Sequence, residues 1–127
     1  MVSDFKKLIL VVEDDRDIRS SVMEVLENAG FRTSCASNGA EAIEALRRGL
    51  VPDLILLDLM MPVMDGFAFR DEQQKKPEWA SIPVVIMSAD GNILAKKERA
   101  GTADYIRKPL DIVDLINVIE KHILAPA

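Results

Sequence analysis

Cysteine is nearly missing: Cys35 is the only one in 127 residues, which excludes an internal disulfide and a thiolate metal cluster. Its apolar neighbourhood marks it as a small packing residue. Long apolar runs are missing too. The first run, Leu8 to Val12, is too short for a signal h-region and ends at Glu13-Asp14-Asp15, and no stretch approaches the roughly 20 apolar residues of a membrane span. A cytoplasmic protein without membrane association is expected. Positive charge is in deficit, with 16 Lys and Arg against 21 Asp and Glu, a net charge of −5. That balance disfavours a broad footprint on nucleic acid or anionic lipid, so no direct nucleic-acid partner is expected. Linkers, low-complexity segments and internal repeats are not found, and nothing after Ala125 suggests an output domain, so the chain is expected either to act by binding partners directly or to be one domain excised from a longer protein. With 49% hydrophobic residues, a chain of this length suits one domain over residues 1–127.

What is present alternates in period. Leu8 to Val12, Leu54 to Leu57 and Val84 to Met87 are continuous apolar runs followed by polar residues, as in parallel strands covered on both faces. Between the first two, Ile18, Val22, Val25, Leu26 and Ala29 recur at helical spacing before Gly30, a C-terminal stop. Phe31 to Ala36 reads as a second strand. Asn38 with Glu41 forms a capping box that opens a helix running to Gly49. After the third strand, Met61-Pro62-Val63-Met64-Asp65-Gly66 is turn chemistry, and a third helix runs from Phe67 to about Lys76, where Pro77 breaks it. Ile82 to Met87 is the fourth strand.

The segment Asp90 to Arg99 has little apolar content and predicts the weakest helix, one that moves. Tyr105-Ile106 is a short fifth strand, and Ile112, Leu115, Ile116, Ile119 and Ile123 draw an apolar stripe on a last helix. The pattern predicts an α/β fold of five βα units: a doubly wound, five-stranded parallel sheet with right-handed crossovers and helices on both faces.

In such a sheet ligands sit beyond the carboxyl ends of the strands, and the reactive residues fall there. Glu13, Asp14 and Asp15 follow strand one, Asp58 closes strand three, Ser88 closes strand four and Lys108 closes strand five. Each has a plain alternative: acids that complement the positive end of a helix, a turn or cap hydroxyl, a solvated surface lysine. Asp58 resists such an account, because its neighbours Leu54 to Leu57 and Leu59 to Met61 are all apolar and a carboxylate there needs a partner. If Glu13, Asp14 and Asp58 converge, their repulsion calls for a cation beyond Lys108. Oxygen ligands without His or Cys select magnesium or a similar hard ion.

These residues resemble the receiver domains of bacterial response regulators, from about Lys6 to Leu124. The resemblance rests on Val11-Val12-Glu13-Asp14-Asp15, on Asp58 followed by Met61-Pro62-Val63-Met64-Asp65-Gly66, on Met87-Ser88-Ala89, and on Lys108-Pro109. It implies the flavodoxin-like strand order 2-1-3-4-5, which the chemotaxis receiver also shows. It further implies Asp58 as phosphoacceptor, taking its phosphoryl group from a histidine kinase or phosphotransfer protein. Asp14, Asp58 and the Met60 carbonyl would bind Mg2+ directly, with Glu13 acting through water. Lys108 would contact phosphoryl oxygens and Ser88 would bond one after transfer. Tyr105 matches the aromatic position that changes rotamer, so that helix four, strand five and helix five switch together toward a downstream protein target. Self-phosphorylation and autodephosphorylation are implied for such a switch, and a cis Lys108–Pro109 peptide is implied by the same likeness. Two departures are Ser88, where threonine is commoner, and Leu110, where an aromatic is frequent.

Rival readings fit less well. Glu13-Asp14-Asp15 would repel a flavin phosphate, no G-x-x-x-x-G-K-[ST] loop occurs, and the D-x-D pattern of aspartate-nucleophile phosphatases is broken because Leu59 and Met60 follow Asp58. An interaction domain that is not phosphorylated would lack Asp58 or Lys108, and both are present. His122 suits the negative end of the last helix. Trp79 sits in a Pro-bounded loop as a packing residue or surface anchor, and Met60, Met61 and Met64 are expected to line the pocket.

Overall fold

A computed structural model describes residues 6–123, so Leu124, to which the resemblance extends, lies outside them. Five strands alternate with helices: β1 (Leu8–Val12), α1 (Arg16–Asn28), β2 (Arg32–Ala36), α2 (Gly39–Arg47), β3 (Leu54–Asp58), α3 (Gly66–Gln74), β4 (Val84–Ser88), α4 (Ile93–Ala100), β5 (Asp104–Arg107) and α5 (Ile112–Ile123). All ladders are parallel and the order is β2-β1-β3-β4-β5, the flavodoxin-like arrangement expected. No helix among the described residues is long and apolar enough to cross a membrane.

The continuous apolar runs are buried because the sheet is covered on both sides. β1, β3 and β4 are buried at every position. Their residues alternate between two cores, as the two-residue period of a strand requires. Leu10, Val12, Ile55, Leu57, Val84 and Ile86 pack under α2, α3 and α4. Ile9, Val11, Leu54, Leu56, Val85 and Met87 pack under α1 and α5.

Helix starts follow the chemistry read from the chain. Asp15, Asn38 and Asp65 each accept a backbone N–H in the first turn of α1, α2 and α3. Glu41 Oε1 accepts from the Ser37 N–H at 2.9 Å, one residue ahead of the cap, in place of the Asn38 N–H that a capping box uses. Asn92 makes no such side-chain bond to α4.

Several expectations need correction. Pro77 does not merely break α3: it opens a separate helical turn, Pro77–Ala80, as a proline at the first helical position can. Trp79 lies in that turn rather than in a loop, and it is buried, as its reading as a packing residue has it. Cys35 is exposed on β2, which lies at the edge of the sheet. Ile112, counted on the apolar stripe, is 60% exposed, while Leu115 and Ile119 are buried. His122 does not simply face the helix end: its Nε2 lies 3.0 Å from Asp104 Oδ2, tying α5 to β5.

A buried arginine was not foreseen. Arg70 on α3 donates from Nε to the Ala100 carbonyl at 3.0 Å, from Nη2 to the Gly101 carbonyl at 2.8 Å, and from Nη1 to Gln73 Oε1 at 2.7 Å. The first two are the carbonyls that end α4, so a cation from a neighbouring helix caps the negative end of α4. Gln73 continues the network to the Trp79 and Ile82 carbonyls.

Candidate functional site

Parallel strands end together, and their carboxyl ends form a cleft of about 520 Å3 lined by Glu13, Asp14, Asp58, Met60, Ser88 and Lys108. These come from four separate β–α junctions, brought together by the register that sets Val12 beside Leu57 and Asp58 beside Met87. Carboxylate oxygens of Glu13, Asp14 and Asp58 all lie within 4.8 Å of one another. Asp14 is exposed at the mouth, whereas Glu13 and Asp58 are buried.

Lys108 reaches in from the end of β5. Its Nζ is 2.6 Å from Glu13 Oε1 and 3.4 Å from Asp58 Oδ2. Burial, and next the like charge of Glu13, push the Asp58 carboxyl up to about 7 against the pull of Lys108. Burial alone would depress Lys108, but its hydrogen bond to Glu13 and the charges of Asp58 and Glu13 outweigh that and raise it. One ammonium among three carboxylates leaves a site short of positive charge. The donor set is all oxygen, with no His or Cys in the lining, so the residues present fit a hard divalent cation.

The remaining polar groups define the floor and rim. Asp58 Oδ1 accepts from the Met60 N–H at 3.3 Å, and the buried Ser88 Oγ accepts from the Asp90 N–H at 3.1 Å. Asp15, the acid to which no role was given, serves as the cap of α1 and takes the Ile18 N–H at 3.0 Å, the plain helix-end alternative. Tyr105 is not in the cleft: it sits half-buried on β5, opposite Ile86. Of the three methionines expected to line the pocket, only Met60 does so, since Met61 and Met64 pack against the core under α2. The Lys108–Pro109 peptide is cis.

The loop after Asp58 is held by two close approaches that side-chain chemistry did not reveal. A Cβ on Gly66 would lie 2.8 Å from Leu59 Cδ2 and 3.0 Å from the Asp58 carbonyl oxygen, so only glycine lets α3 start against the strand end. A Cβ on Gly39 would lie 2.8 Å from the Met64 carbonyl oxygen, which instead accepts the Gly39 N–H at 3.0 Å. A glycine in the first turn of α2, where helix propensity disfavours it, was the available signal. Between these tethers Val63 is forced to φ 69°.

A five-stranded parallel sheet of order 2-1-3-4-5 with clustered acids and a lysine at its carboxyl edge defines the class of phospho-accepting signalling domains. The chain belongs to the response regulator receiver domain family, which matches it over residues 9–120. A 14.6 kDa protein of Leptolyngbya boryana is 35% identical over 123 residues, covering 92% of this chain and 90% of that protein. The DNA-binding transcriptional regulator NtrC of Escherichia coli K12 is 36% identical over 118 residues, 91% of this chain but only 24% of that regulator.

Among solved structures, the receiver domain of NtrX from Brucella abortus is 34% identical with a TM-score of 0.82, covering 93% of this chain and 99% of that one. The receiver domain of the sensor histidine kinase PA1611 from Pseudomonas aeruginosa PAO1 carries a magnesium ion coordinated in its active-site cleft. It is 25% identical with a TM-score of 0.85, covering 94% and 99% of the two chains.

Proposed function

We propose that Asp58 is the phosphoacceptor of a magnesium-dependent switch, charged by a histidine kinase or phosphotransfer protein and read by a protein target. The observation that carries this reading is the convergence of the Glu13, Asp14 and Asp58 carboxylates within 4.8 Å, with Lys108 Nζ 3.4 Å from Asp58. Asp58 Oδ attacks the phosphorus of a phosphohistidine, the new O–P bond forms as the P–N bond breaks, and the electron pair returns to the imidazole nitrogen. Asp14, Asp58 and the Met60 carbonyl would hold magnesium, which supplies positive charge that keeps Asp58 ionised and offsets charge on the phosphoryl oxygens. The magnesium in the PA1611 receiver supports the same placement here.

Lys108, with Nζ 3.4 Å from Asp58 Oδ2, would take a phosphoryl oxygen. Ser88, at the next strand end, would bond another after transfer. A protein donor is favoured by an apolar groove of about 450 Å3 between α1 and α5, lined by Ile18, Val22, Leu110 and Ile112, that shares Lys108 with the acidic cleft. The output reading rests on α4, which has no side-chain N-cap, beside Tyr105 on β5. A phosphoryl group adding about −2 charge next to Ser88 biases that end of α4.

Treating the protein with acetyl phosphate and magnesium, then mapping the acyl phosphate by borohydride trapping and mass spectrometry, tests the reading. Label at Asp58, lost in Asp58→Asn and needing more magnesium in Asp14→Ala, supports it. Robust label on another aspartate overturns it.

A further inference from the structure

Arg19, in the first turns of α1, reaches back to the acid loop. Its Nη1 donates to the Glu13 carbonyl at 2.8 Å across six residues of sequence, while its own backbone N–H is bonded to the Asp15 carbonyl at 2.9 Å. The guanidinium therefore extends from a closed helical turn rather than a loop. The carbonyl it grips belongs to the peptide that joins Glu13 to Asp14, so holding that oxygen fixes the plane from which both side chains leave. The rest of Glu13 is held as well: its N–H by the Ala36 carbonyl at 3.0 Å, its carboxylate by the Asp15 N–H at 3.1 Å and Lys108 at 2.6 Å. Asp14, exposed at the mouth, lies between two tethered peptides, one held by Arg19 through the Glu13 carbonyl and one by the Glu13 carboxylate through the Asp15 N–H.

We propose that Arg19 is a positioning residue for cation binding and phosphoryl transfer. By fixing the Glu13–Asp14 peptide from α1, it keeps the carboxylates of Glu13 and Asp14 aimed at Asp58. This rests on the reading of Asp58 as a magnesium-assisted phosphoacceptor. The sign of the effect separates positioning from simple electrostatics. A fixed positive charge beside the site repels a divalent cation, so on charge alone its removal tightens magnesium binding. Loss of positioning weakens it.

Three proteins test this: the wild type, Arg19→Ala and Arg19→Lys. Each is titrated with magnesium chloride by calorimetry, melted in chelator, and labelled with acetyl phosphate across a range of magnesium concentrations. Outer partners that orient metal ligands are typically worth about 10-fold or more in affinity, so Arg19→Ala should bind magnesium about 10-fold more weakly. Its labelling rate should recover at saturating magnesium, and its melting temperature should stay within about 2 °C of the wild type. Arg19→Lys should regain much of the affinity, because an ammonium still donates to the carbonyl. Unchanged or tighter magnesium binding in Arg19→Ala overturns the proposal. So does a lysine variant no better than alanine, or a loss that follows the melting temperature or accompanies failure to fold. If Arg19→Ala weakens magnesium binding but the wild type is not labelled at Asp58, positioning of the cation site stands and the phosphoacceptor reading fails. Normal labelling of both proteins with equal affinities gives the reverse.

Discussion

Lys108 Nζ is bonded to Glu13 Oε1 at 2.6 Å, closer than the 3.4 Å that separates it from Asp58. The lysine thus neutralises Glu13 first, and Asp58 is left buried beside a like charge, with its carboxyl at about 7. A carboxyl whose folded value is raised contributes stability that is fully present below the unfolded value, about 4, and is lost as pH rises toward 7. In chelator, Asp58→Asn should therefore gain about 1–3 kcal/mol over the wild type at pH 8, with a much smaller gain at pH 5. Urea unfolding at the two pH values measures it. An equal gain at both would mean that charge is not the cause.

Ile112 exposes 60% of its surface in the groove that adjoins Lys108. Replacing it with aspartate removes an apolar contact without opening the core. Transfer from a phosphorylated histidine protein should slow about 10-fold, as for loss of a significant interface residue, while labelling by acetyl phosphate stays at the wild-type rate. Equal slowing of both would place Ile112 in the chemistry rather than in docking.

Arg70 satisfies three neutral oxygens with one planar guanidinium, and burial depresses its pKa. Arg70→Ala leaves the end of α4 uncapped and should cost about 2–4 kcal/mol in chemical denaturation, since each buried group left unpaired costs about 1–3 kcal/mol. Arg70→Lys should recover little, because a single ammonium cannot match the fork. Amide exchange in α4 should rise in both variants.

Val63 is a β-branched residue at φ 69° with 84% of its surface exposed. The left-handed region costs such a residue about 1–2 kcal/mol, and the side chain packs against little. Val63→Gly should raise stability by about 0.5–1 kcal/mol after the extra unfolded-state entropy of glycine is counted. The melting temperature reads the gain directly, and a fall would show that the valine side chain packs more than its exposure indicates.

On the proposed function a phosphoryl group on Asp58 would act at the Asp90 end of α4, while Arg70 holds the other end through the Ala100 and Gly101 carbonyls. With beryllofluoride and magnesium as a phosphoryl mimic, amide exchange should change most from Asp90 through the first turn of α4 and in β5 around Tyr105, and least near Ala100. Changes limited to the rim of Asp58 would favour a phosphate relay whose output is the phosphoryl group itself.

Much of the architecture was legible because it depends on local period and on chain-end chemistry. Apolar runs marked the central strands, Asn38 with Glu41 marked the start of α2, and Gly30 the end of α1. What escaped was decided by which neighbour an element acquires. Cys35 reads as packed by its apolar neighbours in sequence, yet β2 lies at the sheet edge. Ile112 fits the helical stripe, yet falls where α5 overhangs the groove. Pro77 signals a break, and the burial of Trp79 in the core beneath α2 and α3 accompanies the helical turn found there.

The sequence by itself determined the reactive set: an acid trio, Asp58, Ser88 and Lys108, each placed by a strand that must end where its apolar run ends. It also determined that the set lies on one edge, because parallel strands end on the same side. Only the tertiary structure decided which acids meet and which one caps a helix. Register brought Glu13, Asp14 and Asp58 together and left Asp15 to cap α1. The long-range contacts then set Lys108 on Glu13, Arg70 on the end of α4 and Arg19 on the Glu13 carbonyl. A long charged side chain bonds whatever acceptor the folded backbone brings within its reach, and that depends on the packing of whole helices and strands rather than on spacing along the chain.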